Sequence, residues 1–478
     1  DDTKMDGPYD TNVPYVDPEV QDSSYGEPYN FGNATPRRPK ATAINESPRS
    51  TLDDYRDRHV NKRSALPDFS LDSDDGPMDV YCLMADTEDE RASTYDQIMK
   101  SKDSDKWFKA MKEEMNSIKA QGTWDLTELP KGMKAIGSRW IFKRKKNSEG
   151  AVERYKARFC AKGFTQVEGV DFTETFAPVA KMNSIRVLLS MVTTYDLELQ
   201  QADVDTAFLY GDVDTELYMK QPTGFIEPGK EHLVCKLKKC LYGTKQAARQ
   251  WYLKIQSCMM KNGYKSCSAD NCIFIKEAMG KISIIGIYVD DLIIACSSSD
   301  EVKSIIAFLK KSFSIKELGN LQYCLGVKVD RDRPNGQMFL SQKAYVERLV
   351  EKFGLTDCKP CYTPSSMEVL TKPEETWDLQ YPYREAIGSL MYLMLCTRPD
   401  IANALGCVAK YCDNYDQSHW IAVKRIIRYL NTTKNYRLTY GIGKKNGLEC
   451  YADASWGSDL DTRRSTTGYI TKLDGNLI

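Results

Sequence analysis

The chain has 478 residues, 41% hydrophobic and 28% charged, with a formal net charge of −1. That length allows two or three domains of about 100–200 residues each. No run reaches the ~18 apolar residues of a membrane span, and no basic-then-apolar secretory signal is seen, so membrane partners are not expected. The 15 cysteines follow no regular framework, which suits a reducing compartment and thiols used as small core residues.

The charge divides unevenly. Residues 1–95 hold 21 Asp and Glu against 10 Lys and Arg, a net of −11, whereas residues 96–478 hold 46 against 56, a net of +10. The first segment is rich in Asp, Ser, Pro and Tyr and has no period, so it is expected to be a mostly disordered acidic linker, with a short apolar patch at 80–84. The basic remainder suits a protein that handles a polyphosphate. Asp1 is not an initiator methionine and Ile478 ends a strand-like stretch, so the chain is expected to be a piece of something longer.

Order is expected from Thr94. Trp107, Ala110, Met111, Met115 and Ile118 recur at helical spacing, with Asp103 or Ser104 as the cap and Gly122 as the break. Strands at 138–145 and 154–161 flank a turn at 147–150, a hairpin signature. Residues 131–163 hold eleven basic side chains against Glu149 and Glu153. Alternate side chains of a strand face opposite ways, so one face of this hairpin can close over a triphosphate while the other stays in solvent. A helix follows at 183–195, then a strand that turns into a short helix at Asp203. Gly243, with Lys245, Gln246 and Arg249, precedes a helix at 247–262: a glycine lets backbone approach a nucleotide closely and the next turns can hold a template base, while Trp251 and Tyr252 read rather as core packing. Further helices are expected at 300–313, 342–353, 383–396, 401–411 and 418–430, with short strands from Gly447. The irregular alternation indicates α+β rather than a doubly wound sheet. Cys358 and Cys361 form a lone CxxC in a chain with three histidines, which argues against zinc.

The strongest chemical signal is the run 285–295, in which an apolar strand meets Asp290 and Asp291 and a second apolar strand leaves. Two carboxylates in such a run cost several kcal/mol each to bury unpaired. A tight hairpin with the acids at its tip avoids that cost and suits divalent cations; a solvated turn is the alternative. Nucleotidyl transfer uses two Mg²⁺ about 3.5–4 Å apart, each needing few protein oxygens, so Asp203, Asp290 and Asp291 suffice.

Asp203-Val204-x-x-Ala207-Phe208 with Tyr288-Val289-Asp290-Asp291 resembles the paired signature of reverse transcriptases. The flanking Tyr155-Lys156-Ala157-Arg158, Ala161-Lys162-Gly163-Phe164, Glu174-Thr175-Phe176-Ala177-Pro178-Val179, Leu241-Tyr242-Gly243, Thr397-Arg398-Pro399-Asp400-Ile401 and Ser418-His419-Trp420 are similar to copia-type LTR retrotransposon polyproteins. That resemblance implies an α+β right-hand polymerase: fingers and palm at 96–318, thumb and helical connection at 319–446, and the start of an RNase H-like α/β domain at 447–478. It implies RNA-directed DNA synthesis with two Mg²⁺ (Mn²⁺ as substitute) held by Asp203, Asp290 and Asp291. Lys156 and Arg158 are the candidates to hold the triphosphate, one or both, with Lys162 as a further one, and Phe208 would select against a 2′-hydroxyl; taken alone, Phe208 reads as a core aromatic. Tyr288, Gly243 and Gln246 would line the substrate, and Asp205 has no assigned role. Asp453 would be the first RNase H ligand; the other carboxylates lie on later elements in that family, so no RNase H activity is expected from the chain as given. Implied partners are an RNA template, a DNA or tRNA primer, dNTPs, and the integrase and protease of the same polyprotein. The implied location is cytoplasmic virus-like particles, with nuclear entry.

Overall fold

The computed structural model describes residues 93–146, 152–278, 280–366, 368–373, 381–443 and 447–478. Residues 1–92 of the expected linker, with the apolar patch at 80–84, and the turn at 147–150 lie outside the described residues. In chain order the first elements are α1 (Tyr95–Met99), α2 (Ser104–Ala120), β1 (Trp124–Thr127), β2 (Ser138–Lys146) and β3 (Val152–Ala161). Thr94 opens α1 with a reciprocal capping box to Gln97. Asp103 occupies the N-cap of α2 but makes no cap hydrogen bond; its carboxylate accepts from Lys106 and Arg144 instead.

The apolar stripe of α2 packs on the β2–β3 hairpin, whose Trp140, Phe142, Ala157 and Phe159 are buried with Trp107, Met111 and Ile118 in one cluster. The ring of Trp107 meets Phe142 edge-on at 5.4 Å. Burying each such aromatic contributes roughly 1.5–3 kcal/mol. This corrects one expectation. The hairpin face turned away from the basic side chains is core, not solvent, because the alternate positions carry large rings.

The chain continues through α3 (Met182–Thr194), β4 (Glu198–Val204), a 3₁₀ turn (Ala207–Tyr210), β5 (Tyr218–Met219), β6 (Val234–Leu237), α4 (Ala247–Lys261), β7 (Lys265–Ser266), β8 (Ile273–Ala278), β9 (Lys281–Tyr288), β10 (Asp291–Cys296), α5 (Ser299–Lys310) and β11 (Ile315–Asn320). A six-stranded antiparallel sheet runs β11-β4-β10-β9-β8-β7, and β1-β6-β5 form a small second sheet. Leu292 to Cys296 are all buried, as the unbroken apolar run of β10 demands. The sheet extends to Asn320, two residues past the expected boundary at 318.

Next come β12 (Tyr323–Cys324), β13 (Val327–Asp332), β14 (Gln337–Ser341), α6 (Lys343–Lys352), α7 (Tyr383–Cys396), α8 (Ala402–Ala409), α9 (Gln417–Thr432) and β15 (Leu438–Gly441). Leu438–Gly441, expected within a helical part, instead pairs with β14 and completes a sheet β12-β13-β14-β15. Four residues are too few to show their period of two in the sequence. Two of the motifs that carry the copia-type resemblance are internal fasteners. Buried Arg398 donates to Asp400 at 2.7 Å, to the Thr433 hydroxyl at 2.6 Å and to the Thr433 carbonyl at 3.2 Å. His419 is fully buried, 2.7 Å from Asp416, which caps α9.

The last sheet, β16 (Leu448–Ser455), β17 (Thr466–Leu473) and β18 (Asn476–Leu477), is antiparallel. It is anchored at β18, where Arg186 and Tyr440 donate to the Leu477 carbonyl at 3.1 and 2.7 Å and Asn476 donates to Ser190 at 3.0 Å, and in the loop between β16 and β17, where Lys410 donates to Asp459 and Tyr411 to Asp461, both at 2.8 Å.

Candidate active site

Three aspartates lie at one end of the six-stranded sheet because of its register. Asp291, first in β10, lies directly across from Asp203 in β4 on one side and Tyr288 of β9 on the other. Directly opposed residues place their Cβ atoms about 4.5–5.5 Å apart on one face. Asp290 sits in the two-residue loop between β9 and β10, and its carbonyl accepts from the Val204 N–H at 2.9 Å. All three acids are half-buried. Tyr288 is buried at the end of β9.

The loop is strained. Val289 has φ +54° while Asp290 stays on the negative side, the sign pattern of a II′ hairpin turn, which favours glycine at its first position. A β-branched residue there costs roughly 1–3 kcal/mol. Thr206, just before the 3₁₀ turn, has φ +53°. Two β-branched residues in left-handed conformations therefore flank the carboxylates.

Two residues that the sequence did not single out for the site stand beside the acids. Gln201, two positions before Asp203 and on the same face of β4, donates its amide to Asp291 Oδ1 at 3.0 Å. Trp251 of α4, read as core, is indeed buried, but its indole N–H also donates to the Val289 carbonyl at 2.7 Å. A glutamine among strand residues and a tryptophan in an amphipathic helix leave no local pattern that announces either contact.

The expected substrate residues fall into two groups. Lys143 and Lys156 are directly opposed on the hairpin, as are Ile141 and Arg158. Arg158 pairs with Glu114 of α2 at 2.9 Å and lies over the ring of Tyr242 at 5.1 Å. Glu114, 3% exposed, also accepts from the Phe159 N–H; a charge within the apolar stripe of α2 was the signal that such a partner exists. Phe208 is buried edge-on to Tyr242 at 5.3 Å and lines a small apolar pocket with Pro178, Trp251, Ile287 and Val289.

Gly243 and Gln246 both make close internal contacts. Gly243 has φ +85°, and a methyl there would collide with the Ala161 carbonyl, while a methyl on Gly163 would collide with the Gly243 carbonyl. The close approach that glycine permits here is between two loops of the protein. Gln246 is fully buried; its amide donates to the Asp171 carbonyl at 3.0 Å and its oxygen accepts from Gln166 at 3.1 Å. Asp453 lies exposed on β16, in a separate sheet.

The donor set suits a hard cation. Oxygen ligands alone, from two strands and a loop, are what Mg²⁺ takes, since it keeps waters and substrate phosphates. Among the described residues, no three Asp, Glu, His or Cys side chains form a ready metal cage, so carboxylates and substrate would complete the shell together. Cys358 and Cys361 make contacts with Asn431 and with the Thr363 carbonyl.

Residues 121–367 match the family described as Reverse transcriptase (RNA-dependent DNA polymerase). The retrovirus-related Pol polyprotein from transposon TNT 1-94 of Nicotiana tabacum is 42% identical over 411 residues, 84% of this chain and 31% of that one. The corresponding polyprotein from transposon RE2 of Arabidopsis thaliana is 37% identical, over 77% of this chain and 25% of that one. A putative transposon Ty5-1 protein of Saccharomyces cerevisiae is 31% identical, over 57% of this chain and 89% of its own length. The chain thus spans between a quarter and a third of the two plant polyproteins. With the paired acids in register on one sheet end and these likenesses across most of its length, the chain belongs to the reverse transcriptase family, in its copia-type retrotransposon Pol branch.

Proposed function

We propose that this chain is an RNA-directed DNA polymerase acting as part of a retrotransposon polyprotein. The reading rests above all on the register that sets Asp203 against Asp291 with Asp290 in the adjoining loop. Asp203, Asp290 and Asp291 would hold two Mg²⁺ (Mn²⁺ as substitute), which activate the primer 3′-hydroxyl and neutralise the triphosphate. The protein's own part is positioning. The strained loop fixes Asp290, Gln201 orients Asp291, and Phe208 bounds the sugar where a 2′-hydroxyl would clash. Lys156 and Arg158 contribute positive charge to the triphosphate, with Glu114 setting the angle of Arg158.

In this reading the β2–β3 hairpin with α2 forms the fingers, the six-stranded sheet the palm, residues 319–446 the thumb and connection, and β16–β18 the opening of an RNase H-like domain with Asp453 as its first ligand. An RNA template, a DNA or tRNA primer and dNTPs are the substrates. Integrase and protease of the same polyprotein are neighbours, and cytoplasmic virus-like particles with nuclear entry are the setting.

Primer extension on poly(rA)–oligo(dT) with Mg²⁺ and labelled dTTP, comparing the chain with Asp290→Asn, tests this. Extension by the first and not the second is the expected result. A folded, template-binding protein that extends nothing would instead be a decayed copy that retains binding alone.

A further inference from the structure

Asp290 is bracketed by two hydrogen bonds to main-chain carbonyls. Its own carbonyl is held by the Val204 N–H at 2.9 Å, which ties it to β4. The carbonyl just before it, that of Val289, is held by the Trp251 indole at 2.7 Å, which ties the loop to α4. The first bond is backbone on both sides, so no side-chain change short of proline removes it. The second depends on one side chain.

The packing of Trp251 accounts for its ring but not for its N–H. The ring sits edge-on to Phe313 at 5.2 Å and tilted to Tyr210 at 6.0 Å, and phenylalanine would fill much of that space. Only an indole also presents a donor, and here the donor meets the carbonyl of the one residue in the loop whose backbone is strained. Valine resists φ +54°, so without a restraint the peptide between Val289 and Asp290 is free to rotate toward a relaxed form. That rotation would re-aim Asp290.

We propose that Trp251 is a positioning residue for the reaction: its indole N–H, bonded to the Val289 carbonyl, holds the loop in the left-handed conformation that presents Asp290 and Asp291 together. The kinetic consequence rests on the polymerase reading above; the clamp itself does not.

The test is a cycle of four full-length proteins: parent, Trp251→Phe, Val289→Gly and the double variant, each measured for primer extension with Mg²⁺ and for thermal unfolding. Losing one buried donor is expected to lower kcat about 5- to 10-fold in the valine background, with KM for dTTP within about twofold. Glycine takes either sign of φ freely, so in the Val289→Gly background the same change should lower kcat by no more than about twofold. Equal losses in the two backgrounds, or no loss in the first, overturn the proposal. Benzothienylalanine at position 251, which replaces N–H by sulfur and keeps the shape, separates donor from bulk and carries the test if Trp251→Phe folds poorly. It should match the reduced kcat of Trp251→Phe, and parent-like kcat overturns the clamp. If no protein extends a primer, parent included, the polymerase reading falls and the unfolding data decide the clamp. A smaller drop in Tm for Trp251→Phe in the glycine background supports it, and equal drops overturn it.

Discussion

Two sheets of this protein each offer an aspartate at a place where the family resemblance puts a metal ligand, and only one surrounds it with partners. Asp203 is on a strand flanked on both sides, opposite Asp291, with Gln201 beside it and the 289–290 loop at its end. Asp453 is on β16, where residues 451–456 are exposed on both faces and Trp456 is 96% exposed. A carboxylate becomes a candidate site when neighbouring strands bring it other carboxylates and fix their orientation; the residue alone does not suffice.

The comparison can be broken at its strongest point. Asp203→Asn and Asp291→Asn should each cut primer extension by about a thousandfold or more while leaving a folded protein, as expected of groups that stabilise charge developing in the reaction. Substantial extension by either would remove the register argument. One step out, Glu114→Ala leaves the partly buried Arg158 without its carboxylate and should destabilise the protein by about 3 kcal/mol in denaturant unfolding. Gln201→Leu keeps a strand-compatible side chain but removes the donor to Asp291. A hydrogen bond to a charged group is worth about 1.5–3 kcal/mol, so kcat should fall about tenfold with the unfolding midpoint nearly unmoved. A matched loss of stability would make Gln201 structural only.

Asp416 is a carboxylate with a purely internal task, the capping of α9. Burial pushes Asp416 up, but hydrogen bonds from Ser418 and His419 outweigh it and bring it to about 2. Because the folded value lies below that of free aspartate, about 3.9, its stabilisation is complete above that value and is lost as pH falls through the folded one. Asp416→Asn should therefore flatten the stability profile between about pH 4 and pH 2, read as urea midpoints. The smallest effect belongs to the other sheet: Trp456→Ser should change stability by less than about 0.5 kcal/mol.

The family and the place of the paired acids were legible in the sequence because chemistry restricts residue type. Acids embedded in apolar runs need a reason, and the spacing from Asp203 to Phe208 added one. The helices α2, α4 and α7 were legible because ten or more residues give their period room to repeat. What escaped was geometry that residue type does not encode. Nothing in Tyr-Val-Asp-Asp states that the valine takes a positive φ, and the role of the indole of Trp251 exists only once that carbonyl is placed. β15 escaped through shortness. Gly243 was legible as a point of close approach, but what approaches it, the Ala161 carbonyl, depends on which loops the fold brings together.

That last contact bears on how sequence variation in this chain should be interpreted. Gly163 and Gly243 abut so closely that neither can acquire even a methyl group, although neither bears a functional group. In a survey of tolerated substitutions both would look as intolerant as Asp290. Intolerance would there report the width of a seam between two loops, and on that ground alone it would say nothing about the reaction.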